Sequence, residues 1–299
     1  MIERAHRFGK EGYLVGIVTE PGFEVRKEGM PSILFLTAGR VHRVGPHRLY
    51  VDVARKLACL GFISFRFDLG GVGDSESSKG NGSLEDRAVS EIQEAMNFLS
   101  THKGVNEFVL MGLCSGADDA YRAAIVDPRV VGAVLLDGFG YRTWGFYPRN
   151  CLYYLQHHGR QVLNLNKWRR FIRQKWSSIF TEKHESGVGD DPNFRVFPPK
   201  ETVTKDLGIL VERGVSMLFI YSGGIPSYYI YRDQFKDMFR SIDLRGQVQY
   251  EYFNEANHIF SLLEDRNRLM ITICDWTQTH YQPRREQRIV HLEKAYGTG

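Results

Sequence analysis

Short apolar runs of strand length recur along this chain, separated by longer stretches of helical periodicity. "PSILFLTAG" is a fully buried strand by its unbroken apolar run, "FISFRFD", "EFVLMGLC", "RVVGAVLLDGFG" and "VSMLFIYSGG" read as further strands of the same sheet, and "QVQYEYFNE" as the last. "YLVGIVTEP" reads as an earlier strand ending at Pro21. Parallel neighbours need crossovers of a dozen or more residues, and the intervening helical patterns supply them. "HRLYVDVARKLACLG" puts Leu49, Val53 and Leu57 on one face and stops at Gly61. "SLEDRAVSEIQEAMNFLSTH" opens at Ser83 as N-cap, with Asp86 three residues on and Ala88, Ile92, Ala95 and Leu99 as its stripe. "SGADDAYRAAIVDP" and "FSLLEDRNRLMITICDWTQTH" are the later helices. The expected class is therefore α/β, a mostly parallel central sheet flanked by helices.

From Gly140 to Leu207 the alternation lapses, and no clear strand is found. We read residues 140–207 as a helical cap inserted between two late strands, 1–139 and 208–282 as the core, and 283–299 as a polar tail. The 299 residues, 42% hydrophobic, suffice for one large core. Between Tyr141 and His184 the cap is cationic: Arg142, Arg149, Arg160, Lys167, Arg169, Arg170, Arg173, Lys175 and Lys183 stand against the single acid Glu182. In "NKWRRFIRQKW", Trp168, Phe171, Ile172 and Trp176 share a face and the arginines turn away, so the segment reads as a surface helix or as a lid meeting an anionic substrate.

Composition narrows the function classes. A net charge of +4 gives no case for nucleic acid, and no apolar stretch is long enough to span a membrane or open a signal peptide. Cys59, Cys114, Cys151 and Cys274 show neither disulfide nor zinc spacing. A cytoplasmic setting without metal or cofactor is expected, where a free thiol survives as a nucleophile.

One strand delivers such a thiol. In "VLMGLCSGADDA" the frame G-x-C-x-G spans a strand, a sharp turn and a helix, which is the pattern of a nucleophile elbow. Gly112 and Gly116 leave room where the turn crowds its neighbours, and Cys114 is the residue raised above the sheet. Ser115 points elsewhere and offers its backbone N–H. The helix N-terminus lowers a thiol's pKa, as does a neighbouring imidazolium. His258, directly after the last strand in "FNEANHIFSL", is the expected base. The Ser115 and Arg40 amides are the expected oxyanion hole, with Gly39 and His42 on the loop beside it as substrate-binding candidates. The acid is less evident. The turn "IYSGGIPSYY" carries Ile225 and Pro226 where a carboxylate is expected, so Asp137, ending "AVLLD", is the foremost substitute. Asp233 is a weaker one, and Asp118 and Asp119 suit the helix N-terminus as dipole charges.

These residues resemble bacterial exosortase A system-associated α/β-hydrolases of the first type. The likeness rests on "FLTAGRVHRVGPHRLYVDVARKLACLGFISFRFDLGGVGDSES", "GLCSGA", "YYLQ", "KWRR" and "NHIFS", and extends over roughly residues 1 to 280. It implies an α/β-hydrolase fold, Cys114 as nucleophile and His258 as base. It also implies an aspartate in the turn where this chain has Ile225, a departure that counts against ordinary ester hydrolysis. Similar folds serve as tailoring enzymes in natural-product pathways.

The expected function is acyl transfer (hydrolase, thioesterase or acyltransferase) through a Cys114 acyl-enzyme. The substrate is expected to be a small-molecule ester or thioester, carried on CoA or a carrier protein, and a homodimer is conceivable. Tyr141, Trp144, Tyr147, Tyr153 and Tyr154 suit either a bulky acyl group or the cap's own core, with Trp144 and Tyr147 the substrate-binding candidates. Two alternatives stand beside this: a lyase or cyclase using His258 without a covalent intermediate, and a non-catalytic binding protein of hydrolase shape.

Overall fold

The computed structural model describes residues 1–39, 41–77, 82–162, 195 and 197–281. The expected strands appear as β2 (Leu14–Glu20), β3 (Ser32–Leu36), β4 (Ser64–Asp68), β5 (Phe108–Leu113), β6 (Val130–Leu136), β7 (Ser216–Ser222) and β8 (Val248–Phe253). Together with β1 (Ile2–Phe8) they form one 8-stranded sheet in the order β1-β2-β4-β3-β5-β6-β7-β8. β1 and β4 both run antiparallel to β2, and every other pairing is parallel. All the C-terminal ends of β3 to β8 therefore open on one edge, where side chains from distant parts of the sequence meet.

β1 lacks the apolar signature of its neighbours. "IERAHRF" sits at the sheet edge, bonded on one side only, and needs no apolar cover there. Its Glu3 accepts from the Arg66 and Arg55 guanidinia at 2.8 and 2.6 Å, which pairs the buried Arg66 of β4. An arginine is tolerated inside this sheet because that carboxylate meets it.

Two apolar layers enclose the sheet. Alternate β3 residues face opposite ways: Ile33 and Phe35 into one layer, Leu34 and Leu36 into the other. The first layer is closed by α1 (Leu49–Cys59), through Leu49, Val53 and Leu57, and by the last helix. The second is closed by α2 (Leu84–Lys103) and α3 (Ser115–Val126). Ser83 caps α2 by accepting from the Asp86 amide at 3.1 Å, and Gly104 ends it in the left-handed region.

Between β6 and β7 the chain forms α4 (Phe146–Val162) and α5 (Lys200–Glu212). The border expected at 207 falls inside α5, whose Val203, Leu207, Leu210 and Val211 join the core layer of α3. The cationic run Lys167–Lys183, with Trp168, Glu182 and the arginines between, lies outside the described residues, as do Arg40 and the tail after Gln282. A short α6 (Gln234–Met238) precedes β8, and α7 (Leu263–Tyr281) closes the chain's described part. No helix among the described residues is long and apolar enough to cross a membrane.

The elbow rests on backbone contact. A methyl group on Gly112 would lie 2.1 Å from the Gly116 carbonyl oxygen, and one on Gly116 would lie 2.6 Å from that of Leu36. Neither obstacle is a flexible side chain, so the turn has no slack. Gly112→Ala is expected to cost about 3 kcal/mol, at the upper end for overpacking, read as a lowered midpoint in urea unfolding.

Candidate active site

Cys114 occupies the turn between β5 and α3 with φ 58° and ψ −122°, a conformation a side chain adopts only under constraint. The constraint is visible: its amide donates to the Leu136 carbonyl at 2.9 Å, and its carbonyl accepts from the Ala117 amide at 3.0 Å. Behind the elbow, the buried Tyr50 hydroxyl donates to the Leu36 carbonyl and accepts from the Leu113 amide, joining the ends of β3 and β5.

Asp137 stands one strand over, just past the end of β6. It is fully buried, and its φ of 45° is one that aspartate tolerates better than most residues. Its carboxylate accepts from the Ser222 amide at 2.6 Å and the Ser222 hydroxyl at 2.7 Å. The Nδ1 of His258 lies 2.7 Å from the same group. A carboxylate without water needs donors or a counterion, and this one has both.

The turn after β7 thus supports a carboxylate instead of supplying one. Ile225, where the resemblance places an aspartate, is buried at 7% exposure. The preceding pair of glycines has a separate cause. A methyl on Gly223 would strike the Asn254 carbonyl oxygen at 1.8 Å, and one on Gly224 the His258 amide at 2.2 Å. The loop bearing His258 crosses directly over this turn.

With Nδ1 facing Asp137, the other side of the His258 ring is left for the Cys114 thiol, and the two groups shift each other's pKa. Hydrogen bonds to Asp137 and to Cys114 raise the imidazole to about 9, against the effect of burial. Burial pushes the Cys114 thiol up, but the His258 hydrogen bond, the Arg195 cation and the Ser115 amide outweigh it and bring the thiol below its ordinary value. The two shifts run in opposite senses, thiol down and imidazole up, and both favour the charged pair over the neutral one.

The loop after β3 borders the sulfur. Ser115 turns its hydroxyl away from Cys114 and accepts from the Gly39 amide at 2.7 Å, fastening loop to elbow. Arg43 secures the loop's far side, its amide donating to the Asp68 carboxylate at 2.6 Å and its guanidinium pairing with Asp68 and Asp74. Gly39 is exposed and His42 lies exposed on the loop. Trp144 and Tyr147, at 90% and 57% exposure, face solvent where α4 begins, and no contact joins them to Cys114 or His258. Asp233 is remote from the histidine, exposed beside Lys236 at 3.6 Å.

Three neighbours carried no signal in the sequence. Ser222 is one, holding Asp137 as described. Arg195 binds both oxygens of Asp118 at 2.6 and 2.7 Å and donates to the Asp137 carbonyl at 2.9 Å. Asp118 is thus a buried ion-pair partner, not the simple dipole charge its position suggests; Asp119 pairs with Arg122 at 3.1 Å. Tyr228, also buried, donates to the Asp137 carbonyl at 3.3 Å. A repeat of "YY" or a lone arginine gives no sign of such contacts. Among the described residues, no group of histidine, cysteine and acidic side chains is placed to hold a metal.

In comparisons of sequence, no protein-family model and no curated protein matches the chain. Solved structures do match in shape. An esterase of Pyrococcus furiosus superposes with a TM-score of 0.57 at 10% identity, covering 94% of this chain and 91% of its own. The proline iminopeptidase of Mycobacterium smegmatis gives 0.57 at 14%, over 93% and 98%. A meta-cleavage product hydrolase of Pseudomonas fluorescens gives 0.53 at 15%, over 92% and 97%. Strand order, the elbow after β5 and these likenesses agree: the chain has the α/β-hydrolase fold.

Proposed function

We propose that the protein transfers acyl groups from an ester or thioester through an acyl-enzyme on Cys114. His258 acts as general acid and base, and Asp137 orients it. The observation that carries the reading is the 2.7 Å hydrogen bond by which Asp137 holds the imidazole of His258, whose charge acts on the Cys114 thiol at the elbow. The names of the structural neighbours, an esterase, a peptidase and a hydrolase, accord with it.

The thiolate attacks the carbonyl carbon, and the carbonyl electron pair moves onto oxygen. The Ser115 amide, at the N-terminus of α3, is aimed at this corner and stabilises the new charge, together with a second donor we assign to Arg40. Collapse of the intermediate expels the leaving group, and the imidazolium gives its proton to it, so that it departs as an alcohol or a thiol. A neutral imidazole remains. It then removes a proton from water, an alcohol or an amine, which attacks the thioester and restores the thiolate. CoA or a carrier protein would present the acyl group at this edge of the sheet.

Cysteine suits this arrangement better than serine would. A thiolate paired with imidazolium is already a nucleophile, so the histidine needs no prior deprotonation. The acid then has to keep the ring charged and oriented, which Asp137 does from β6 as well as it would from β7.

Incubation with p-nitrophenyl esters of short and long acyl chains is expected to give one acyl adduct by intact mass, located on Cys114. Cys114→Ala should abolish it and reduce turnover by at least about 10³-fold. Turnover surviving in Cys114→Ala would point to a non-covalent lyase or cyclase, and an inert Cys114 to a binding protein. The pH dependence of kcat/KM should be bell-shaped. Its acid limb, where Cys114 takes up a proton, falls below the ordinary thiol value, and its alkaline limb, where His258 loses one, falls near 9. Asp137→Asn removes the hydrogen bond that holds His258 up. It should move the alkaline limb downward and lower kcat/KM by about 10²-fold, measured in the same assay.

A further inference from the structure

The cap's return to the core brings one residue into contact with both halves of this site. Arg195 lies just before α5, and its guanidinium is largely buried. Two of its nitrogens grip the carboxylate of Asp118, which stands in the first turn of α3, four residues past Cys114. The third donates to the backbone carbonyl of Asp137. The face of the guanidinium rests on the Phe197 ring, with its carbon 5.0 Å from the ring centroid. Planar, bidentate and stacked, this is a fixed cation of the kind a lysine does not reproduce.

We infer that Arg195 is a positioning residue of the active site: it locks the helix that carries Cys114 to the turn that carries Asp137, and holds a permanent positive charge near the sulfur. The inference rests on the acyl-transfer reading above. The turn it pins has a positive φ, and Tyr228 donates to the same carbonyl, so two independent side chains hold that peptide in place. Without them the Asp137 carboxylate, and His258 with it, would lose its bearing on Cys114.

The charge acts along a second route. The groups whose charge or hydrogen bonding acts on the sulfur are His258 from the loop after β8, Arg195 just before α5, Tyr228 from the turn after β7, Tyr50 from α1 and the Ser115 amide of α3. Both phenols are held neutral by burial, their pKa values pushed far above the ordinary tyrosine value. The cations that favour the thiolate are therefore His258 and Arg195. Asp118 lies on the far side of the balance, since it offsets part of the guanidinium's charge.

That opposition gives a test with a sign. The rate of Cys114 alkylation by iodoacetamide, followed by intact mass against pH, reports the thiol's midpoint. Arg195→Gln should raise the midpoint by roughly half a pH unit or more, and Asp118→Asn, which leaves the arginine uncompensated, should lower it. Loss of packing alone would not move the two in opposite directions. Arg195→Lys should keep the midpoint near the wild-type value while kcat falls several-fold at unchanged KM, because charge remains and the fork is lost. Midpoints unchanged in both Arg195→Gln and Asp118→Asn would overturn the inference and leave the acyl-enzyme reading standing. If Arg195→Gln does not fold, an Asp118→Asn midpoint at or above wild type overturns it by itself. A wild-type Cys114 that no pH makes reactive would overturn the proposed function instead.

Discussion

A carboxylate with no access to water sits at the centre of this site, and its needs organise the residues around it. Asp137 is fully buried, and burying an ionised carboxylate without partners costs several kcal/mol. Its partners come from separate parts of the chain: the Ser222 amide and hydroxyl from the end of β7, and the His258 ring from the loop beyond β8. Because the parallel register fixes where each of these strands ends, the carboxylate is satisfied only when β6, β7 and β8 are paired as they are. Folding of the sheet and assembly of the site are in this sense one event.

The same dependence extends to the thiol. His258 is oriented by Asp137 and in turn reaches Cys114, whose turn is held by the Leu136 carbonyl of the strand that bears Asp137. Sulfur, imidazole and carboxylate are each anchored to a different strand end, and the anchors touch one another. Rigid placement of this kind supplies preorganised charge, the largest contribution to catalysis in most acyl-transfer sites. Backbone crowding reinforces it. Gly112, Gly116, Gly223 and Gly224 all stand where another segment's main chain passes too close for a side chain.

Those glycines explain why so much was legible from sequence. An elbow leaves a fixed imprint, G-x-C-x-G after an apolar run, because its sterics admit little else at the flanking positions. His258 was legible because it follows the last strand pattern directly. The inner strands β3 to β7 were legible because two-sided burial leaves largely apolar runs, and the edge strand β8 by its alternation of tyrosine and polar residues, whereas β1, at the other edge, carries charges that disguise it. The acid was half legible: Asp137 ends a clear strand, but nothing in the letters shows that Ser222 lies within 2.7 Å of it. Arg195, 77 positions from Asp118, was not legible at all. A contact between single polar side chains so far apart has neither periodicity nor local spacing to betray it, and only the fold brings them together.

If Asp137 on β6 is the acid, as proposed, the turn after β7 has no carboxylate to carry. It is filled with Ile225, Tyr228 and Tyr229, all buried. Tyr229 stacks on Tyr221 with ring centroids 3.7 Å apart, and Tyr228 packs edge-on against Phe197 of the cap's return. Apolar packing thus occupies the ground a carboxylate would have kept wet, and it lowers the local dielectric around Cys114 and His258. In such surroundings each remaining charge weighs more. A second cation at the mouth of the cap then gains influence over the sulfur that it would lack in a solvated cleft. Under the proposed function, an acid on β6 and an arginine near α5 are two sides of one electrostatic arrangement.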